Sequence, residues 1–148
     1  MTAVVVVRES EQAVNELVSA LCRAGQALSE HRAALMSVEG WSSVTTTLEI
    51  KEWHGPDGNR LAFYGYLDGE RAGVGRVSWI VDVMRDGEGW LVDRTLNLIR
   101  NLSDLETITE LPRRSCRDSS ELARALVPIV DELLALAPPE PSTRTSGG

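Results

Sequence analysis

Apolar residues recur near the start of the chain at Val14, Leu17, Val18, Leu21, Ala24, Leu28 and Leu35. Steps of three, four and seven bring them to one side of an α-helix. The spacing predicts a helix from about Ser10 to Met36. Ser10 suits the N-cap, Glu9 and Glu11 suit the positive end of the helix dipole, and Glu39-Gly40 ends the pattern. Ahead of it, four consecutive β-branched residues, Val4 to Val7, favour a short edge strand.

The period then changes from helical to alternating. Val44, Thr46, Leu48 and Ile50 share one side of a strand from about Ser43 to Trp53. After the turn-forming run from His54 to Asn59, a second strand from about Arg60 to Leu67 places Leu61, Phe63, Gly65 and Leu67 together. A turn around Asp68-Gly69-Glu70 leads to a third strand, about Gly75 to Arg85, with Val77, Trp79, Val81 and Val83 on one face. Asp86-Gly87-Glu88-Gly89 reads as a hairpin turn into a fourth strand, about Trp90 to Arg100, carrying Val92, Leu96 and Leu98. A weaker alternation from Leu105 to Leu111 adds a fifth strand.

A second helix is predicted from about Asp118. Asp118 and Glu121 have capping-box spacing, and Leu122, Leu126, Ile129, Leu133 and Leu136 form its apolar stripe. Pro128 lies within that stripe and is expected to kink or split the helix, because it cannot donate to the Arg124 carbonyl. Pro, Ser, Thr and Gly dominate from Pro138 onward, so 138–148 is expected to be a disordered tail behind a single domain, 1–137. The fold class is α+β. An antiparallel meander of four to five strands is flanked by an N-terminal and a C-terminal helix, both packed on the face that carries Trp79.

A chain of 148 residues can bury an adequate core without a disulfide or a structural metal. With 15 basic and 22 acidic residues the net charge is −7, which argues against binding to a nucleic-acid backbone and is compatible with a basic partner. Lys51 is the only lysine, and the arginine-rich remainder reads as the codon bias of a GC-rich bacterial genome. The Val4–Val7 run is too short for a signal peptide, and no stretch approaches the ~18–20 apolar residues of a membrane span, so a cytoplasmic chain is expected.

Candidate chemistry is sparse. Cys22 reads as a small buried hydrophobe and Cys116 falls in the polar run Arg113-Arg114-Ser115-Cys116-Arg117. His31 reads as a surface residue on the polar side of the first helix. His54 and Asp57 supply two ligand-type groups where zinc needs three or four, so no metal or other cofactor is expected. Gly73-Val74-Gly75-Arg76 precedes no helix and so presents no helix N-terminus to a phosphate; its glycines suit a bulge or a tight crossing. No nucleophile elbow or P-loop is present. Arg94 is the exception to the inward pattern, and either reaches the sheet margin or pairs with a carboxylate under a helix.

A turn centred on Gly87-Glu88 fixes the pairing of the third and fourth strands. Val83 then faces Val92, Trp79 faces Leu96, and Val77 faces Leu98. The same register opposes Asp82 to Asp93 on the solvent side, where an arginine can relieve the repulsion. That outward side displays Trp53, Tyr64, Tyr66, Ile80, Met84, Leu91 and Ile99 among Thr45, Thr47, Glu49, Asp82 and Asp93. Aromatic and methionine residues among carboxylates suit a protein-binding surface, with Trp53, Tyr64 and Tyr66 as anchors and Glu49, Asp82 and Asp93 as charged rim. A second copy of the chain, or a segment of the chain itself, are the other occupants such a face admits.

This plan, two helices around an acidic meander without catalytic residues, resembles that of bacterial immunity proteins. The resemblance implies a non-enzymatic protein that binds and neutralises a cognate toxin or effector, without nucleic acid or membrane. It spans about Ser10 to Leu136 and carries no motif from which further residues can be assigned. The plan is also similar to small dimeric secretion chaperones, which usually hold a helix between the third and fourth strands, where this chain has only Asp86 to Gly89. A small enzyme or ligand-binding domain is the remaining alternative, and a large polar internal cavity would favour it.

Overall fold

The structure, a computed structural model, describes residues 10–55, 58–101 and 104–141, with the side chains of 53–55, 58–60 and 101 outside the described part. The chain order is α1 (Glu11–Met36), β1 (Trp41–Gly55), β2 (Gly58–Arg71), β3 (Gly75–Asp86), β4 (Gly89–Asn101), β5 (Asp104–Cys116) and α2 (Ser119–Leu134). The strands form one antiparallel sheet in sequence order, β1-β2-β3-β4-β5. The predicted α+β meander is therefore present, and its fifth strand runs well beyond Leu111. The Val4–Val7 strand prediction lies outside the described residues.

Both helices begin on side-chain caps. Ser10 Oγ accepts from Ala13 N–H at 3.1 Å, and an Asp118 carboxylate oxygen accepts from Glu121 N–H at 2.8 Å. Each satisfies an amide that has no intrahelical partner. Glu121 reaches back to the backbone N–H of Arg117 at 3.2 Å, so the pair acts as a capping box displaced by one residue. Pro128 does not split α2, which runs unbroken from Ser119 to Leu134. Arg124, whose carbonyl lacks the proline's donor, is exposed to water.

The helices lie on the Trp79 face. Val77, Trp79, Val81 and Val83 of β3 are each 2% exposed or less, and Leu67, Leu96, Leu122, Ile129 and Leu133 complete the same core. The Trp79 indole donates to the Leu136 carbonyl at 3.1 Å. Trp90, also fully buried, stacks on Phe63 at 5.2 Å and donates to Ser119 Oγ at 3.0 Å. Each ring thus has its N–H satisfied, as a buried indole requires.

Several expectations are corrected here. Asp68, Gly69 and Glu70 do not form the turn after β2 but remain paired with Ser78, Val77 and Arg76; the turn lies at Ala72-Gly73-Val74. Gly69 is needed within the strand because a Cβ there would come 3.1 Å from the Trp41 ring and from Val44. Ile50 is on the helix-facing side but is 68% exposed, because the helices do not extend over that end of β1. The α1 stripe is also displaced: Ala13, Leu17, Ala20, Ala24 and Leu28 are buried, while Val14 and Val18 stand open. Cys22, two positions beyond Ala20, faces away and is exposed, whereas Cys116 is buried opposite Trp90. Burial pushes the Cys116 thiol up, with Glu121 adding to it, so it stays protonated. His31 is not on the surface but half-buried, edge-on to Trp79 at 5.7 Å, and desolvation holds its pKa below the ordinary value.

Arg94 is 1% exposed. It pairs with Glu132 of α2 at 3.1 Å and donates to the carbonyls of Ile129 and Pro112 at 3.4 and 3.3 Å. Of the two sequence alternatives, the carboxylate under a helix is the one realised. Within the segment predicted to be a tail, Glu140 pairs with Arg71 at 3.0 Å, and Pro141 lies beside Gly73.

Candidate binding face of the sheet

Side chains alternate along a strand, so the residues between the core positions emerge on the side opposite the helices. The predicted register is observed: Val83 faces Val92, Trp79 faces Leu96, Val77 faces Leu98 and Asp82 faces Asp93. The two-residue connection between Asp86 and Gly89 sets it, with Gly87 at φ 60°, the left-handed conformation that the first position of such a hairpin turn demands.

The pairings then assemble rows across the outward face. One row runs Glu49 on β1, Tyr64 on β2, Asp82 on β3 and Asp93 on β4. On one side of it lie Thr47, Tyr66, Ile80 and Thr95, and on the other Lys51, Ala62, Met84 and Leu91. Five of the six predicted partner-binding residues are thereby brought into two adjacent rows. The sixth, Trp53, has its backbone opposite Arg60 in β1, and its side chain lies outside the described residues.

The acidic row is not uniformly free. Arg113 of β5 donates through Nε and an Nη to both oxygens of Asp93, at 2.8 and 2.9 Å. This bidentate clamp answers the repulsion that the Asp82–Asp93 opposition creates, and the carboxylate raises the Arg113 pKa in return. Asp68, further along β2, is held by Arg76 and by the Thr45 hydroxyl, which donates at 2.7 Å. Asp82 differs, making no hydrogen bond or ion pair with any described residue. Partial desolvation pushes its carboxyl above the ordinary carboxylate range, Asp93 adds to the rise, and Lys51 opposes it.

Tyr64 sits between Glu49 and Asp82 in the row, with its ring 5.8 Å from that of Tyr66. The Lys51 ammonium lies 3.9 Å from the Tyr64 ring centroid, a cation–π contact. Desolvation, followed by the surrounding charges led by Asp82, raises the Tyr64 pKa. Beyond the Tyr66 row the face closes down: Ser78 and Asn97, opposite one another, are 6% and 8% exposed, and Asn97 Oδ1 has no hydrogen-bond partner among the described residues.

Lys51 and Arg113 were not singled out from the sequence. Lys51 alternates with Glu49 and was legible by parity alone. Arg113 was not, because the β4–β5 register shifts between Val92 and Arg94, and strand parity cannot be counted across that irregularity.

Elsewhere, an open groove of about 680 Å³ between α1 and α2 is lined by Glu11, Glu16, Arg23, Arg124 and neutral residues, with neither a cysteine nor a histidine. A second, of about 440 Å³, includes His31 with Glu30 and Asp131. No cluster of three or more His, Cys, Asp or Glu able to hold a metal ion occurs among the described residues. None of their helices is long and apolar enough to cross a membrane. The outward face presents hydrogen-bonding, ionic and aromatic groups side by side. No family model matches the chain, and no curated protein or solved structure matches it either.

Proposed function

We propose that this chain is a non-enzymatic protein-binding module that neutralises a cognate partner through the outward face of its sheet, in the manner of an inhibitor or immunity protein. One observation carries the reading. Both helices pack on the Trp79 side, leaving Tyr64, Tyr66 and the carboxylates in register in two adjacent rows on the other. Half-buried aromatic residues surrounded by charge are the usual anchors of a protein interface. The two-residue Gly87-Glu88 connection leaves no place for the helix of the secretion-chaperone plan, which favours the inhibitor reading over that one.

The test is a Tyr64→Ala/Tyr66→Ala double variant. The wild-type chain is used to isolate a stable partner from its native host, and both proteins are then purified and recombined. The double variant is expected to lose binding by roughly 30-fold or more, the equivalent of ~2 kcal/mol for an anchor residue. Its thermal unfolding is expected to stay near that of the wild type, and the partner's own activity should be suppressed only by the wild type. Retained binding would place the interface elsewhere. Failure of the variant to fold would show that the face is internal.

A further inference from the structure

The tyrosine–carboxylate row has a charge imbalance with a defined shape. Glu49 and Asp82 are the register partners of Tyr64 on its two sides, and neither forms a hydrogen bond or ion pair with a described residue. The remaining carboxylate of the row, Asp93, is already clamped by Arg113. Among the described residues a single cation answers this pair: Lys51, the only lysine of the chain, lies over the Tyr64 ring. Its own register partner is Ala62, whose small side chain leaves the lysine stem room to lie toward Tyr64. Two carboxylates around one ring thus share one ammonium, which sits on the ring without pairing to either of them.

Cross-strand neighbours have Cβ atoms ~5 Å apart, so Glu49 and Asp82 spring from positions about 10 Å apart on the two sides of Tyr64. An ammonium is a point charge and satisfies one position at a time. A guanidinium is planar, stacks flat on a phenol ring, and carries N–H groups at its rim that point outward in the ring plane. Laid on Tyr64, it can direct donors to Glu49 on one side and Asp82 on the other.

Building on the interface reading above, we propose that this row is a receptor for one arginine side chain of the partner protein, stacked on Tyr64 between Glu49 and Asp82, and that Lys51 occupies the same place in the unbound chain. Binding then exchanges an internal cation for the partner's. Lys51 is a competitor for the site, and its removal strengthens the capture of arginine.

A blocked tripeptide, acetyl-Gly-Arg-Gly-amide, is the probe, with its citrulline counterpart as the uncharged control. Titration is followed by the NMR signals of the Tyr64 and Tyr66 rings at low ionic strength. The arginine peptide is expected to shift the Tyr64 signals saturably and the citrulline peptide to leave them in place. Lys51→Met should tighten the arginine peptide about two- to fivefold, the worth of an exposed cation–π contact. Asp82→Asn should weaken it. Thermal unfolding checks that both variants remain folded, which their solvent-exposed positions favour.

Equal shifts with citrulline, or weaker arginine binding in Lys51→Met, would overturn the proposal. The two readings can fail separately. If the arginine peptide does not bind while the tyrosine double variant still loses its partner, the face is the interface but reads no arginine. If the peptide binds and the double variant keeps its partner, the interface reading falls, and the assignment of the arginine to that partner falls with it.

Discussion

On β3, Trp79 and Val81 are 1% exposed, while Asp82, the next residue along, stands open on the opposite side. The same strand thus carries two surfaces whose polar groups are handled differently. On the helix side the buried polar side chains are drawn into the fold, with Arg94 Nε left unpartnered among the described residues. Trp79 donates to Leu136, Trp90 to Ser119, and Arg94 pairs with Glu132. On the outward side part of the charge is left unspent: Asp93 and Asp68 are clamped, but Asp82 and Glu49 are not. The contrast separates residues whose polar groups are tied into the fold from residues whose charges are left without a described partner, and it does so within one strand.

The sharpest way to break the contrast is to empty the helix side. Trp79→Ala is expected to cost ~3–5 kcal/mol, because the ring is fully enclosed and its loss leaves a cavity. Urea unfolding would measure it, and a loss below about 1 kcal/mol would mean that the ring is not a core element. A smaller loss is expected from Glu132→Gln, which strips Arg94 of its carboxylate. Glu132 is half in water, so the cost is about 1–2 kcal/mol, below that of a fully enclosed pair. Changing Arg94 to Met in the same chain should recover part of the loss, since no charge then remains buried.

The smallest effect belongs to the outward face and has the opposite sign. The Asp82 carboxyl is raised in the folded chain, so the folded state holds its proton more tightly than the unfolded state does. Stability from this group is therefore lost as pH rises from the ordinary carboxylate range through the raised value. Asp82→Asn should be slightly more stable than wild type at neutral pH, with the difference vanishing below the ordinary carboxylate range. Thermal unfolding of both proteins across that interval tests the sign. A destabilised Asp82→Asn at neutral pH would mean that the carboxylate has a stabilising partner.

Much of this contrast was legible in the sequence, for a local reason. A two-residue hairpin turn fixes the register of the strands that it joins, so Gly87-Glu88 sufficed to oppose Asp82 to Asp93 and Trp79 to Leu96. What alternation does not carry is how far a helix extends over a sheet. Ile50 has the parity of Leu48 and Val44 but is left uncovered. Nor does a helical stripe say which of two neighbours it faces, hence Cys22, expected to be buried, is exposed. At the site, Tyr64, Glu49 and Asp82 followed from parity. The Arg113 clamp did not, since it depends on an irregular edge pairing with no local signature.

The order of the strands has a kinetic consequence. Every strand pairs only with its sequence neighbours, so the sheet can assemble from successive hairpins without closing long loops. The packing of α1 against α2 joins the two ends of the described chain, and it alone spans nearly all of its length. During synthesis the meander is therefore complete before α2, its last cover, leaves the ribosome. In that interval the Trp90 side of the sheet lacks the Ser119 hydroxyl and the leucines of α2, and apolar surface is open to aggregation. The expected folding nucleus is the central β2–β3–β4 hairpins, and the rate at which α2 docks sets how long that vulnerable surface persists.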